Sequence, residues 1–87
     1  MMYRVLWDSS LKATLLALWL ETESTGDFSR NIASIEEALS TDPLSYGESR
    51  RGEERVAIFP PLTILYEVDE TSKTVVILAV RLHDRST

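Results

Sequence analysis

Leu62-Thr63-Ile64-Leu65-Tyr66-Glu67-Val68, then Asp69-Glu70-Thr71-Ser72-Lys73, then Thr74-Val75-Val76-Ile77-Leu78-Ala79-Val80-Arg81-Leu82 is the stretch that decides the fold. Two β-branched, apolar runs flank five polar residues, which reads as a β-hairpin. In the first run Leu62, Ile64, Tyr66 and Val68 alternate with Thr63, Leu65 and Glu67. Side chains alternate across a strand, so the first set is predicted to face a core. By the same parity Val76, Leu78, Val80 and Leu82 are predicted to join them. Tyr66 is then a packing residue whose hydroxyl must find a partner.

Working outward, Arg55-Val56-Ala57-Ile58-Phe59 is a third strand-like run, with Val56 and Ile58 expected in the core. Pro60-Pro61 marks the turn after it, since neither residue can donate to a ladder. The opposite face should carry Arg55, Ala57, Phe59, Thr63, Leu65, Glu67, Val75, Ile77, Ala79, Arg81 and His83. Phe59, Leu65 and Ile77 left open there would form an apolar patch that calls for a partner, unless the C-terminal tail or a second copy, as in a homodimer, covers it.

The N-terminal half reads differently. Tyr3 to Trp7 is a short strand, and Asp8-Ser9-Ser10 offers capping oxygens for a helix start. Leu11, Leu15, Leu18 and Thr22 define one face of a helix over about residues 9–22. Leu16, Trp19 and Leu20 widen that stripe, which predicts cover on more than one side. Phe28, Ile32, Ile35 and Leu39 repeat the pattern in a second helix, ending near Ser40 before Asp42-Pro43. The two helices form an antiparallel hairpin. The polar connection from Pro43 to Glu54 holds Arg50-Arg51. The expectation is a single α+β domain over 1–87: an N-terminal strand, a two-helix hairpin, then a three-stranded antiparallel meander in a mostly antiparallel sheet.

Composition narrows the chemistry. The chain has 87 residues, no cysteine and a net charge of −5. Disulfides and thiolate metal sites are excluded. An acidic chain lacks the basic field that general nucleic-acid binding needs. The charge is uneven, however: six of the nine basic residues lie in 50–87. The longest apolar run, Leu15 to Leu20, falls far short of the roughly 20 residues of a membrane span. No basic region followed by an apolar run opens the sequence, so a cytoplasmic protein is expected. Gly26, Gly47 and Gly52 form no phosphate cradle, and Asp8, Glu36, Glu37 and Asp42 are spaced as helix-surface charges rather than metal ligands. No cofactor or metal is expected.

The element order resembles the RelE/ParE toxin superfamily across nearly the whole chain. The matching run is Tyr3-x-Val5, Ile32-x-x-Ile35-x-x-x-Leu39-x-x-x-Pro43-x-x-x-Gly47, Arg55, Ile64-Leu65-Tyr66-Glu67-Val68-Asp69 and Val75 to Arg81. The resemblance implies a toxin of a type II toxin–antitoxin pair with a cognate antitoxin as partner. In the RelE-like branch it implies metal-free cleavage of mRNA on the ribosome; in the ParE-like branch, inhibition of DNA gyrase. Cleavage would be attack of a 2′-hydroxyl on the adjacent phosphate, helped by fixed positive charge and acid/base groups. The residues implied for catalysis are Arg55, Arg81 and His83, with Arg50, Arg51 and Arg85 on the RNA. Imidazole titrates near neutrality, which suits His83 to proton transfer.

Each of these has an ordinary reading beside it. Arg50-Arg51 fits a solvated turn, Arg55 can pair with Glu53, Glu54 or Glu67, and His83 fits a solvated strand end. Where family members carry an arginine just before the I-L-Y residues, this chain has Thr63, and no tyrosine follows His83. A non-catalytic interaction module on the same fold is the alternative that these departures favour. For a partner's helix or extended segment, the groove beside Trp19 and Leu20 and the open sheet face are the predicted docking surfaces.

Overall fold

The computed structural model describes residues 2–21, 25–49, 51–60 and 62–82. Strand β1 (Arg4–Trp7) leads through a 3-10 turn (Ser9–Leu11) into helix α1 (Lys12–Glu21). Helix α2 (Thr25–Thr41) follows, then a second 3-10 turn (Pro43–Ser45). Four strands close the fold: β2 (Glu48–Ser49), β3 (Glu54–Phe59), β4 (Leu62–Asp69) and β5 (Thr74–Leu82). They form one sheet in the order β1-β5-β4-β3-β2. The β2–β3–β4–β5 run is antiparallel, and β1 joins β5 in parallel. This is the expected α+β architecture. The two-residue strand β2, inside what read as a polar connection, is an addition.

Local chemistry explains the joints. The Ser10 hydroxyl and amide both donate to the Asp8 carboxylate, satisfying a free N–H at the helix entry. These bonds hold the Asp8 carboxyl below its ordinary 3.8. Trp7 Nε1 donates to Glu36 at 2.5 Å and ties β1 to α2. Gly47 has φ +65°, and a Cβ there would lie 2.1 Å from the Val56 carbonyl oxygen. Only glycine lets the chain pass this close over β3.

The core lies between the helices and one sheet face. Leu11, Phe28, Ile35 and Leu39 meet Ala57, Leu62, Ile64, Tyr66, Val68, Val75, Ile77 and Val80. The prediction for β4 holds residue by residue, as does that for α2, apart from a half-buried Ile32. Two parity assignments are corrected. In β5 the buried residues are Val75, Ile77 and Val80, while Val76 and Leu78 are half-buried and Leu82 is exposed. The cause is a register shift: Leu65 faces Ala79 but Tyr66 faces Ile77, leaving Leu78 as an extra residue. A bulge of this kind resets the alternation. In β3 the buried residue is Ala57, and Phe59 packs on the core, whereas Ile58 is 52% exposed. The expected open patch of Phe59, Leu65 and Ile77 is therefore not formed; Phe59 and Ile77 sit on the helix side.

The predicted cover over α1 is also absent among the described residues. No α1 residue is fully buried, and Leu16, Trp19 and Leu20 are 54%, 41% and 71% exposed.

Candidate functional site

The sheet places the predicted site residues on two different faces. Arg55 stands opposite Tyr66 in the β3–β4 ladder. Its Nε donates to the Tyr46 carbonyl at 3.1 Å and its guanidinium reaches the Gly47 carbonyl at 3.4 Å. The Tyr66 hydroxyl lies 2.7 Å from the Pro43 carbonyl oxygen and 3.0 Å from that of Tyr46. Both side chains thus fasten the 43–47 segment onto the helix side of the sheet. Burial raises the Tyr66 pKa above its ordinary 10.0, and the neighbouring Arg55 works against that shift. The predicted packing role for Tyr66, with its hydroxyl bonded, is what the geometry shows. Arg55 pairs with none of Glu53, Glu54 or Glu67; it binds backbone carbonyls instead.

Arg81 lies on the other face, opposite Thr63. There the sheet forms a groove of about 560 Å³ lined by Arg51, Glu54, Val56, Thr63, Leu65, Ala79, Val80 and Arg81. Its floor is apolar because the β3 parity is reversed: Val56, predicted for the core, faces this groove beside Leu65. Arg51 and Arg81 are both exposed, and among the described residues neither forms an ion pair. Guanidinium forks left free in this way can take a phosphate or a carboxylate bidentately. So the structure brings Arg51 and Arg81 to one groove and sets Arg55 apart from them. Arg50, His83 and Arg85 lie outside the described residues.

The same sheet face carries carboxylates not singled out as site residues, of which Glu54 lines the groove. Glu54 and Glu67 are directly opposed across β3 and β4. Val68 N donates to Glu53 O at 3.2 Å, so the neighbouring 53–68 pair is hydrogen-bonded and 54–67 is not. Side chains approach most closely at such a non-hydrogen-bonded pair. Glu48 of β2, opposite Val56, adds a third carboxylate to this face. The outward aim of Glu67 was readable from its alternation with Tyr66 and Val68; that of Glu54 needed the β3 register. Among the described residues no group of His, Cys, Asp and Glu could hold a metal ion. No helix among them is long and apolar enough to cross a membrane.

A second groove, about 370 Å³, runs between the helices. Leu15, Leu16, Trp19, Phe28, Ser29 and Ile32 line it. It carries almost no polar chemistry and suits an apolar docking surface rather than a reaction.

Comparison with protein-family models finds no match, and comparison with curated proteins finds none either. Solved structures do share the fold. A chain of the toxin–antitoxin complex RelBE2 from Mycobacterium tuberculosis is similar with a TM-score of 0.77 and 22% identity, over 94% of this chain and 99% of that one. A chain of the archaeal RelE–RelB complex from Pyrococcus horikoshii OT3 has a TM-score of 0.69 and 17% identity, over 99% of this chain and 100% of that one. The chain shares the fold of these two chains over nearly its whole length.

Proposed function

We propose that this chain is the toxin component of a type II toxin–antitoxin pair, acting in the cytoplasm and restrained by a cognate antitoxin. The observation that carries the reading is the end-to-end likeness to chains of two toxin–antitoxin complexes. The exposed apolar surface of α1 supports it. A helix that is apolar on nearly every side is ordinarily buried. Here Leu16 and Trp19 line an apolar groove that fits a partner's helix, and Leu20 is exposed on the same helix.

As a ribonuclease, the chain would use Arg51 and Arg81 to hold phosphate oxygens and stabilise the charge that develops on attack. His83, two residues beyond Arg81, would supply proton transfer, with Arg50 and Arg85 as further RNA contacts. Arg55 acts at one remove, by fixing the 43–47 segment.

A second reading, a non-catalytic interaction module, is favoured by one specific observation. Glu54 lines the same groove, Glu67 stands opposite it on that face, and both repel a phosphate chain laid along it.

Inducible expression of the lone chain, scored by growth and translation rate, separates these. Arrest relieved by the Arg81→Ala, His83→Ala double variant is the expected result for RNA cleavage. Arrest that persists in the double variant points instead to gyrase or another target. Healthy growth with soluble protein accumulating overturns the toxin reading in favour of the interaction module.

A further inference from the structure

The open-face groove has two charged ends and an apolar middle. Along β4 the levels are Glu67 with Glu54, then Leu65 with Val56 and Ala79, then Thr63 with Arg81. Four residues of strand separate the ends, about 13 Å. At the acidic end Glu54 and Glu67 are opposed as like charges, an arrangement that destabilises a sheet. Among the described residues neither finds a cation, although Arg51 lines the same groove. Glu48 of β2, opposite Val56, adds a third carboxylate to this face. The repulsion is a cost to the free chain that a cation from outside would relieve.

We infer that this groove seats an extended polypeptide segment bearing Lys or Arg over Glu54 and Glu67, an apolar side chain over Val56, Leu65 and Ala79, and a carboxylate toward Arg81. Extended chain repeats on one face every second residue. The fitting pattern is therefore basic, any, apolar, any, acidic, in either chain direction. The groove is a concavity, which suits a single inserted segment better than a second copy of a broad face. The chain's net charge of −5 favours a basic partner over a nucleic acid. The inference rests on the reading that a protein partner restrains the chain, and it names the chemistry of that partner's contact.

The test is selection of random twelve-residue peptides displayed on phage against the full chain, alongside a Glu54→Gln, Glu67→Gln double variant. Peptides carrying the basic–apolar–acidic spacing are expected, with at least about tenfold weaker binding to the variant. The free variant should melt about 2–4 °C higher, because the repulsion is gone. Selection without Lys or Arg enrichment overturns the inference, as does equal binding of the peptides by the variant. An unchanged or lower melting temperature removes its physical basis. Oligouridine is the second probe: if it binds the chain, binds the variant more tightly and no peptide is selected, the occupant is RNA. Growth arrest tests the toxin reading separately, so each can fail without the other.

Discussion

Arg55 and Arg81 make the two faces of one sheet comparable. Each sits on a strand beside β4, and each is an arginine in an acidic chain. Arg55, on the helix side, spends its donors on the carbonyls of Tyr46 and Gly47. Arg81, on the open side, lines a groove with no ion-pair partner among the described residues. The difference teaches that position in the ladder, not residue type, decides whether a cation is structural or available. The helix face is a satisfied interior; the open face keeps its apolar floor, its exposed arginines and its opposed carboxylates in reach of solvent.

Deleting side chains at neighbouring positions of β4 is the most forceful way to break this contrast. Ile64→Ala should cost about 2–5 kcal/mol, because Ile64 is fully buried and leaves a cavity. Leu65→Ala, one residue along but on the open face, should cost about 1 kcal/mol or less. Urea denaturation of the two variants measures both, and equal losses would erase the distinction between the faces.

Tyr66→Phe comes next. It removes the hydroxyl from the carbonyls of Pro43 and Tyr46, at an expected cost of about 1–3 kcal/mol. It also has a pH signature. The folded pKa of Tyr66 is raised, so its contribution is complete below the unfolded value of 10.0 and is lost as pH rises through the folded value. Thermal melts from pH 9 upward should show a steeper alkaline decline in the wild type than in the variant.

The arginine pair sharpens the comparison at smaller energy. Arg55→Ala should lose about 1 kcal/mol and loosen the 43–47 segment. Arg81→Ala should stay within about 0.5 kcal/mol of wild type while weakening whatever the groove binds. Calorimetry paired with the growth assay separates the two, and reversed effects would exchange the roles assigned to them.

The smallest effect belongs to Asp8→Asn. The folded Asp8 carboxyl titrates lower than the unfolded one. Its contribution is present above the ordinary value of 3.8 and is lost as pH falls through the folded value. The wild-type melting temperature should therefore drop slightly more than the variant's on acidification from pH 5 to pH 3.

Most of this architecture is legible in the sequence where apolar and polar residues alternate. Leu62 to Val68 alternates cleanly, and its face was read correctly at every position. Val75 to Val80 is apolar throughout, so nothing in it reports the extra residue at Leu78 that turns Val75 and Ile77 inward. In β3, Val56 and Ile58 are bulkier than Ala57, and bulk suggested the core. The fold places the small residue inside and the large ones on the open face, Val56 in the groove and Ile58 exposed. The candidate site was legible only in part for the same reason: Arg81 follows from β4 and β5 pairing, whereas the separation of Arg55 from it depends on the β3 parity that residue size conceals.

The parallel pairing of β1 with β5 has a consequence for how the molecule comes into being. Trp7 is matched with Ile77, seventy residues later. At ordinary rates of synthesis, about 5–20 residues per second, the first strand waits roughly 4–14 s for its neighbour. Until then neither the sheet nor the surface beneath α1 and α2 is complete. Closure of so long a loop is slow relative to local helix formation. Both helix segments are thus synthesised before strands β2 to β5, and the groove on the open face exists only after the last strand is in place.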